Sequence, residues 1–303
     1  MHDQPDDRGA PQQPARRRLL AASSGGLGAL ALAACSKPAA AVADQVTPTQ
    51  AAGTKPTLTS QTTEGPYYFD AKKVRADITE GHDGIPLDIV FDVVDETGAV
   101  LPDVRVDVWH CNAQGLYSGY ARQGDDGQAD LSGQTFLRGT QTTDAAGRVV
   151  FNSIYPGWYR GRTTHIHFKV IRGDVHILTC QFFLPDALSE FLYTQASDYR
   201  RSVVRDQLNS TDGIALQAGP TTIGSVHEAT DRYVARLAVA VDRNATPATD
   251  WPGQPGAGGP PGARDDERPP MPPPGGDGRG GPPMAEALEG DARLAALIPG
   301  STP

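Results

Sequence analysis

Residues 162–171 read RTTHIHFKVI, and this stretch decides how the surrounding chain is arranged. Side chains alternate between the two faces of a β-strand, so His165 and His167 project from the same face. The opposite face is apolar throughout, as expected of a strand that lies on a core; it consists of Ile166, Phe168 and Val170. The stretch therefore predicts a strand that directs two imidazoles to one point.

Two histidines on one strand face indicate a metal site, because core packing does not require adjacent imidazoles and a metal ion does. The alternative is a half-exposed polar face, which Lys169 would continue beyond His167. The residues of this stretch alone leave both interpretations open.

Short segments with alternating apolar residues recur along the chain. Residues 87–94 place Leu, Ile, Phe and Val on one face and end at a turn, DETG, over residues 95–98. Further strands are predicted at residues 104–109, 148–154, 176–183 and 233–241. Between residues 61 and 245, helical character is confined to residues 186–209. Short strands separated by turn residues predict an all-β fold, an antiparallel β-sandwich with a loop-rich active site and little helix.

Four segments, in their order along the chain, resemble the intradiol ring-cleaving dioxygenases, the non-haem iron enzymes that open catechols and protocatechuate. They are residues 63–68 (TEGPYY), 109–118 (WHCNAQGLYS), 155–159 (YPGWY) and 162–171. The resemblance covers roughly residues 61 to 245. It implies a β-sandwich in which the iron lies between a sheet and loops, in agreement with the strand pattern.

The resemblance also implies a role for individual residues. Four of them would bind Fe(III): Tyr117, Tyr159, His165 and His167. Arg162 would stabilise the charge that builds on the aromatic ring, and Gln181 would hold Arg162 in place. Tyr159 would be displaced by the substrate and take one of its protons. Two residues separate Tyr159 from Arg162, fewer than in better-known relatives, so Arg160 is an alternative position for the arginine.

The donor set that the resemblance implies is suited to ferric iron. A phenol has a pKa of about 10, so a tyrosine binds as phenolate only where the charge of an ion removes its proton. Soft metals prefer thiolates, and Cys111 has no second cysteine nearby in the sequence. No carboxylate stands beside the two histidines as it does in ferrous oxygenases. The implied reaction joins a diphenol with O2 and breaks the bond between the two hydroxylated carbons, giving a muconate-type diacid.

Two other functions remain open from the sequence. A lipid-tethered β-sandwich that only binds ligands would contain no iron and would leave both tyrosines without a reason. A zinc hydrolase would need a carboxylate as general base near the histidines, and the sequence does not supply one there.

The first 35 residues have the composition of an export signal. Arg16 and Arg17 precede an apolar run that ends in LAAC, and the run is too short to be a comfortable membrane span. The paired arginines resemble a twin-arginine signal, and LAAC resembles a lipobox in which Cys35 becomes lipidated. An ordinary cleaved signal is the alternative. We expect export across the inner membrane to the periplasmic or extracellular face, with a lipid on Cys35 as the membrane contact.

The remaining boundaries follow from composition. Residues 36–60 contain almost no large apolar side chains and are predicted to be a flexible linker. Residues 246–303 are rich in Pro and Gly and are predicted to be a disordered tail, with a short helix possible around residues 285–297. The catalytic domain is therefore predicted at residues 61–245, which is long enough for one core.

The net charge bears on the class of partner, and the cysteine count bears on whether the domain contains a disulfide. The chain has 27 Lys and Arg against 36 Asp and Glu, a net charge of −9, which argues against nucleic acid as a partner. Cys111 and Cys180 form an even pair in a protein expected to be exported, so they suit either a disulfide or two buried thiols.

Overall fold

A computed structural model of the chain describes residues 55–245, 287–289 and 292–293. The strands are β1 (Pro86–Asp95), β2 (Arg105–Trp109), β3 (Arg138–Thr142), β4 (Arg148–Ile154), β5 (His165–Arg172), β6 (Val175–Phe183), β7 (Ser225–Glu228) and β8 (Tyr233–Val241). The helices are α1 (Asp186–Gln195) and α2 (Gly213–Ala218), with 3₁₀ turns at Ser197–Tyr199 and Pro220–Thr222. The predicted signal, most of the linker and most of the tail lie outside the described residues.

The strands form two four-stranded sheets that pack face to face. The first sheet has the order β4-β1-β8-β7, and the second has the order β3-β2-β5-β6. Of the strand pairs in the described residues, only β1 and β8 run parallel. The ring of Phe91 in β1 lies 4.5 Å from that of Phe168 in β5 and 6.2 Å from that of Phe182 in β6. The predicted all-β sandwich is confirmed.

The core is built from the apolar faces that the sequence pattern indicates. Ile166, Phe168 and Val170 of β5 are completely buried, as are Leu87 and Ile89 of β1. Burying a side chain of this size stabilises the fold by about 1.5–3 kcal/mol. The inner face of β5 is therefore fixed in the core, and its outer face is free to carry the histidines.

Two strands and one helix were not predicted, and each has a physical reason. β3 (RGTQT) and β7 (SVHE) are edge strands with few apolar residues, so neither shows an alternating pattern. The predicted helix at residues 186–209 ends at Gln195. α2 is only six residues long and begins at a capping residue, Asp212, rather than at an amphipathic pattern.

The outer face of the second sheet is polar and is nevertheless buried. His167 lies between Trp109 of β2 and Gln181 of β6 in the pairing register. Lys169, the next residue on this face, forms an ion pair with Glu64, which precedes β1. The segment around Glu64 therefore covers this face of the sheet and encloses the histidines.

The two cysteines of the domain are free thiols, which decides between the two alternatives left by the sequence. Cys111 Sγ donates to the Gly157 carbonyl at 3.5 Å, and Cys180 Sγ donates to the Ser60 carbonyl at 3.2 Å. Burial raises the pKa of the Cys111 thiol to about 12, so this group is not a reactive thiolate.

Contacts near both ends bear on the extent of the domain. Thr59 N donates to the Ala240 carbonyl at 2.8 Å, so hydrogen bonding to β8 begins just before residue 61. Arg293 pairs with Glu190 of α1 at 2.8 Å, which provides a partner for this part of the tail. The boundaries themselves stay predictions. None of the helices in the described residues is both long and apolar enough to cross a bilayer.

Candidate metal centre

The four predicted ligands converge at the beginning of β5. His165 and His167 direct their Nε2 atoms at one another, 3.0 Å apart. The Tyr159 hydroxyl lies 3.1 Å from His165 Nε2. The ring of Tyr117 lies 5.6 Å from that of Tyr159 and 6.1 Å from that of His167. Residues from two loops and one strand therefore enclose one small volume.

The two imidazoles are arranged as neutral nitrogen donors. His165 Nδ1 lies 2.7 Å from the Thr163 carbonyl, which only accepts, so Nδ1 carries the proton and Nε2 presents a lone pair. Burial and the nearby Arg162 guanidinium lower the pKa of His165 to about 3. Burial, His165 and Arg162 also hold the pKa of His167 well below its usual range. Both side chains are therefore uncharged near neutral pH.

Burial also shifts the pKa values of the two tyrosine hydroxyls. The Tyr117 hydroxyl is buried and has no hydrogen-bond partner of ordinary geometry among the described residues. Burial, and next the adjacent Tyr159, raise the pKa of Tyr117 well above its usual value. Burial likewise raises the pKa of Tyr159. An unpartnered buried hydroxyl is costly, and the charge of a metal ion would convert it into a phenolate ligand.

The residues present therefore fit a hard trivalent ion. Two neutral imidazoles and two phenols that can become phenolates provide four donors of the hard and intermediate kinds. Within the described residues, no cluster of three or more His, Cys, Asp or Glu side chains could hold a metal. A four-donor site at this position consequently requires the tyrosines.

Two glycines bring the tyrosines together by letting their loops interlock. A Cβ atom at Gly115 would overlap the carbonyl group of Trp158, and one at Gly157 would overlap the carbonyl group of Ala113. The Gly157 amide donates to the Asn112 carbonyl at 3.1 Å. The loop that carries Tyr117 and the loop that carries Tyr159 therefore touch backbone to backbone.

Aromatic rings pack against the donors and restrict their movement. Trp109 stacks on His167, with ring centroids 4.8 Å apart and planes 11° from parallel. Tyr67 stacks on Tyr117 at 4.4 Å and 19°. Gly65 lies against His167, whose Cε1 atom would be 3.3 Å from a Cβ at that position. The TEGPYY segment is thus a wall of the site.

Arg162, rather than its competitor Arg160, is directed into this region. Arg162 Nη2 donates to Gln181 Oε1 at 2.5 Å, and Gln181 Nε2 donates to the Thr63 carbonyl at 3.0 Å. The side chain of Arg160 is 46% exposed and lies 3.7 Å from Asp125. The structure therefore brings Arg162 and Gln181 together as the resemblance implied, while their chemical roles stay a prediction.

The sequence did not single out Asp212, whose carboxylate accepts from Arg162 Nε at 2.8 Å. A buried polar partner distant in sequence leaves no periodic pattern. The local signal was its position as an N-cap, because Asp is favoured immediately before the first helical residue. That signal predicts a helix start and does not point to a site.

Known proteins resemble this chain both in sequence and in fold. The sequence matches the Dioxygenase family over residues 63–218, just over half of the 303-residue chain. The fold is similar to that of an intradiol ring-cleavage dioxygenase from Tetranychus urticae, with a TM-score of 0.58 and 26% identity over 64% of this chain and 98% of that one.

Two curated relatives are enzymes that act on catechols. Catechol 1,2-dioxygenase of Acinetobacter baylyi is 26% identical over 61% of this chain and 64% of its own length. Chlorocatechol 1,2-dioxygenase of Cupriavidus pinatubonensis is 32% identical over 40% of this chain and 52% of its own length. The chain thus spans about half to two thirds of the length of these relatives.

Substituting Gly115 by Ala should destabilise the protein and weaken metal binding. The new Cβ overlaps the Trp158 carbonyl, which costs about 1–3 kcal/mol, and the φ of +82° adds strain of about 1–3 kcal/mol. Gly81→Ala is the matched control, because Gly81 has a φ of +77° with open space around its Cβ position. Urea unfolding with iron titration would measure both effects. Equal losses in the two variants would show that the loops do not interlock as described.

Proposed function

Because the chain belongs to the intradiol ring-cleaving dioxygenase family, we propose that it is a non-haem Fe(III) dioxygenase that acts on a catechol-type diphenol. The reaction uses O2, breaks the bond between the two hydroxylated carbons and yields a muconate-type diacid. The observation that carries the proposal is the convergence of two neutral imidazoles and two tyrosine hydroxyls on one enclosed volume.

Four side chains would hold the ion: Tyr117, Tyr159, His165 and His167. When bound, ferric iron supplies the positive charge that allows a diphenol to bind as its dianion and to become reactive toward O2. The protein contributes the placement of the donors. The Thr163 carbonyl fixes the tautomer of His165, and the ring of Trp109 fixes the plane of His167.

The two tyrosines have different surroundings, which supports different roles. Tyr117 is 1% exposed and is covered by the stacked ring of Tyr67. Tyr159 is half-buried and lies two residues after Gly157 in the same loop. Because Tyr159 is the less buried of the two, it would be the ligand that the substrate displaces, and its phenolate oxygen would take one substrate proton. Tyr117 stays in place throughout.

Arg162 provides the positive charge beside the aromatic ring. Its guanidinium is held at one end by Gln181 and at the other by Asp212, so it is oriented before the substrate arrives. A preorganised cation in a buried site stabilises developing negative charge more strongly than it would in water. Arg162 would act on the charge that the ring carries during cleavage.

The alternatives from the sequence gain no support from this geometry. A module that only binds ligands provides no reason for burying the unpartnered Tyr117 hydroxyl next to two opposed imidazole nitrogens. A zinc hydrolase needs a carboxylate that is free to act as a base. Asp212 is instead engaged by Arg162 and by backbone amides.

Iron-replete protein should consume O2 with at least one diphenol. A panel of catechol, hydroxyquinol, protocatechuate and lignin-derived diphenols, followed with an oxygen electrode, would identify the class. Resorcinol is the matched control, because its hydroxyl groups are not adjacent and cannot chelate one ion. Oxygen uptake with none of the 1,2-diols would contradict the proposed activity.

The purified iron protein should be coloured without added substrate, because phenolates bound to ferric iron give a charge-transfer band. His165→Ala and His167→Ala should lose iron and colour together, since each removes a donor fixed by the strand. Tyr117→Phe should weaken both. Tyr159→Phe should retain iron with a changed colour and a larger loss of turnover than of metal.

Elemental analysis and visible spectra would measure these effects. His227→Ala is the control, because His227 is exposed in β7 and should keep both iron and colour. Two results would contradict the ligand set: a colourless wild-type protein that contains zinc, or iron retained after both His165 and His167 are removed.

We further propose that the mature protein is exported and lipid-anchored, on the basis of the paired arginines and the LAAC sequence that ends at Cys35. Mass spectrometry of protein isolated from membranes should find Cys35 as the first residue, with attached lipid. An unmodified first residue downstream of Cys35 would contradict the anchor, and the catalytic proposal would be unaffected.

A further inference from the structure

Asp212 is a completely buried carboxylate that accepts four hydrogen bonds. Its Oδ1 atom accepts from the amides of Ile214 at 2.8 Å and Ala215 at 3.1 Å, which caps α2. Its Oδ2 atom accepts from Arg162 Nε at 2.8 Å and from the Thr163 amide at 2.9 Å. The Asp212 side chain therefore connects the start of α2 to Arg162 and Thr163, which lie just before His165 in the sequence.

The contact to Thr163 continues to a candidate ligand. The Thr163 carbonyl accepts from His165 Nδ1 at 2.7 Å, and this bond sets the tautomer that exposes Nε2. Asp212 binds the amide of the same residue, so it anchors the backbone at Thr163, whose carbonyl reaches His165. Two hydrogen bonds, through Thr163, thus connect Asp212 to the candidate ligand His165.

The contact to Arg162 fixes the other functional group. Arg162 lies between the Asp212 carboxylate and the Gln181 amide, with its side chain only 12% exposed. Burial alone would raise the pKa of Asp212, but Arg162 and the amide donors hold it below its usual value. The carboxylate is therefore ionised at neutral pH, and it balances a guanidinium that would otherwise be buried without a counter-charge.

The length of the preceding loop explains why such a partner is needed. Only Arg160 and Gly161 lie between Tyr159 and Arg162, and Gly161 itself has a φ of +79°. A turn this short has few contacts of its own with which to orient a long side chain. The orientation is supplied instead by a residue 50 positions later in the sequence.

We infer that Asp212 is a positioning residue of the active site, which holds the Arg162 guanidinium against Gln181 and anchors the backbone at Thr163, whose carbonyl binds His165. This inference rests on the proposed dioxygenase function. Asp212 acts through its neighbours and does not itself touch the substrate. Its position at the N-terminus of α2 makes the helix part of the support of the site.

Asp212→Asn tests the role with the least change in shape. Asn is also a favoured N-cap, so α2 remains capped, while the counter-charge of Arg162 is removed. We expect kcat for the best diphenol to fall about 10–100-fold with a smaller change in KM, and iron release to a chelator to become about tenfold faster. In an Arg162→Gln background the same substitution should cost much less kcat, because the residue through which it acts is already lost.

Asp95→Asn is the matched control. Asp95 is also a buried carboxylate, which accepts from the amides of Thr97 at 2.8 Å and Ala99 at 3.0 Å and lies 3.3 Å from Arg243. It belongs to β1 in the first sheet, away from the candidate centre. Its loss should lower Tm and leave kcat and iron release as in the wild type.

Several outcomes would overturn the inference. The first is a kcat and a rate of iron release in Asp212→Asn that equal those of the wild type. The second is a loss of kcat from Asp212→Asn that is as large in the Arg162→Gln variant as in the wild type. If Asp212→Asn does not fold, Asp212→Ser, which keeps a capping oxygen but cannot reach Arg162, replaces it with the same expectations. A wild-type protein that holds iron but consumes no O2 contradicts the proposed function, and an unchanged rate of iron release would then still overturn the role of Asp212.

Discussion

The alternation of side chains along β5 is the constraint on which both the core and the candidate centre depend. Its inner face, represented by Phe168, is completely buried against the first sheet. Its outer face carries His165 and His167, whose Nε2 atoms meet 3.0 Å apart. A shift of register by one residue would turn the histidines into the core and the phenylalanine outward. The packing that stabilises the sandwich therefore also fixes where the two imidazoles point.

The candidate centre also depends on hydrogen bonds, because its polar side chains are buried and must find partners within the protein. Arg162, Gln181 and Asp212 form one connected set in which the charges are paired and most polar atoms have partners. Such networks cost little when complete and a great deal when one member is removed. Near this set, the Tyr117 hydroxyl and His167 Nδ1 have no hydrogen-bond partner of ordinary geometry among the described residues, and a metal ion would give the hydroxyl a partner. The residues that hold the site in shape and the residue that would bind the metal are thus neighbours in one enclosed region.

The sequence alone predicts the strands that have an alternating apolar pattern and the residues that match a known family. Periodicity predicted β1, β5 and the sandwich, because each strand has one apolar face. It did not predict β3 or β7, which lie at sheet edges and need no such face. The candidate ligands came from the family resemblance, since an HxH strand is compatible with other functions. The contacts of Asp212 depend on tertiary structure, because residues far apart in sequence leave no local pattern when they meet.

The claim that these four side chains form one iron site is tested most directly by diffraction. Crystals of iron-loaded protein, measured on both sides of the iron absorption edge, would locate the metal by its anomalous difference. The expected result is a single strong peak about 2 Å from the hydroxyl oxygens of Tyr117 and Tyr159 and from Nε2 of His165 and His167. A peak elsewhere, or one bound to the histidines with both tyrosine hydroxyls out of reach, would contradict the assignment.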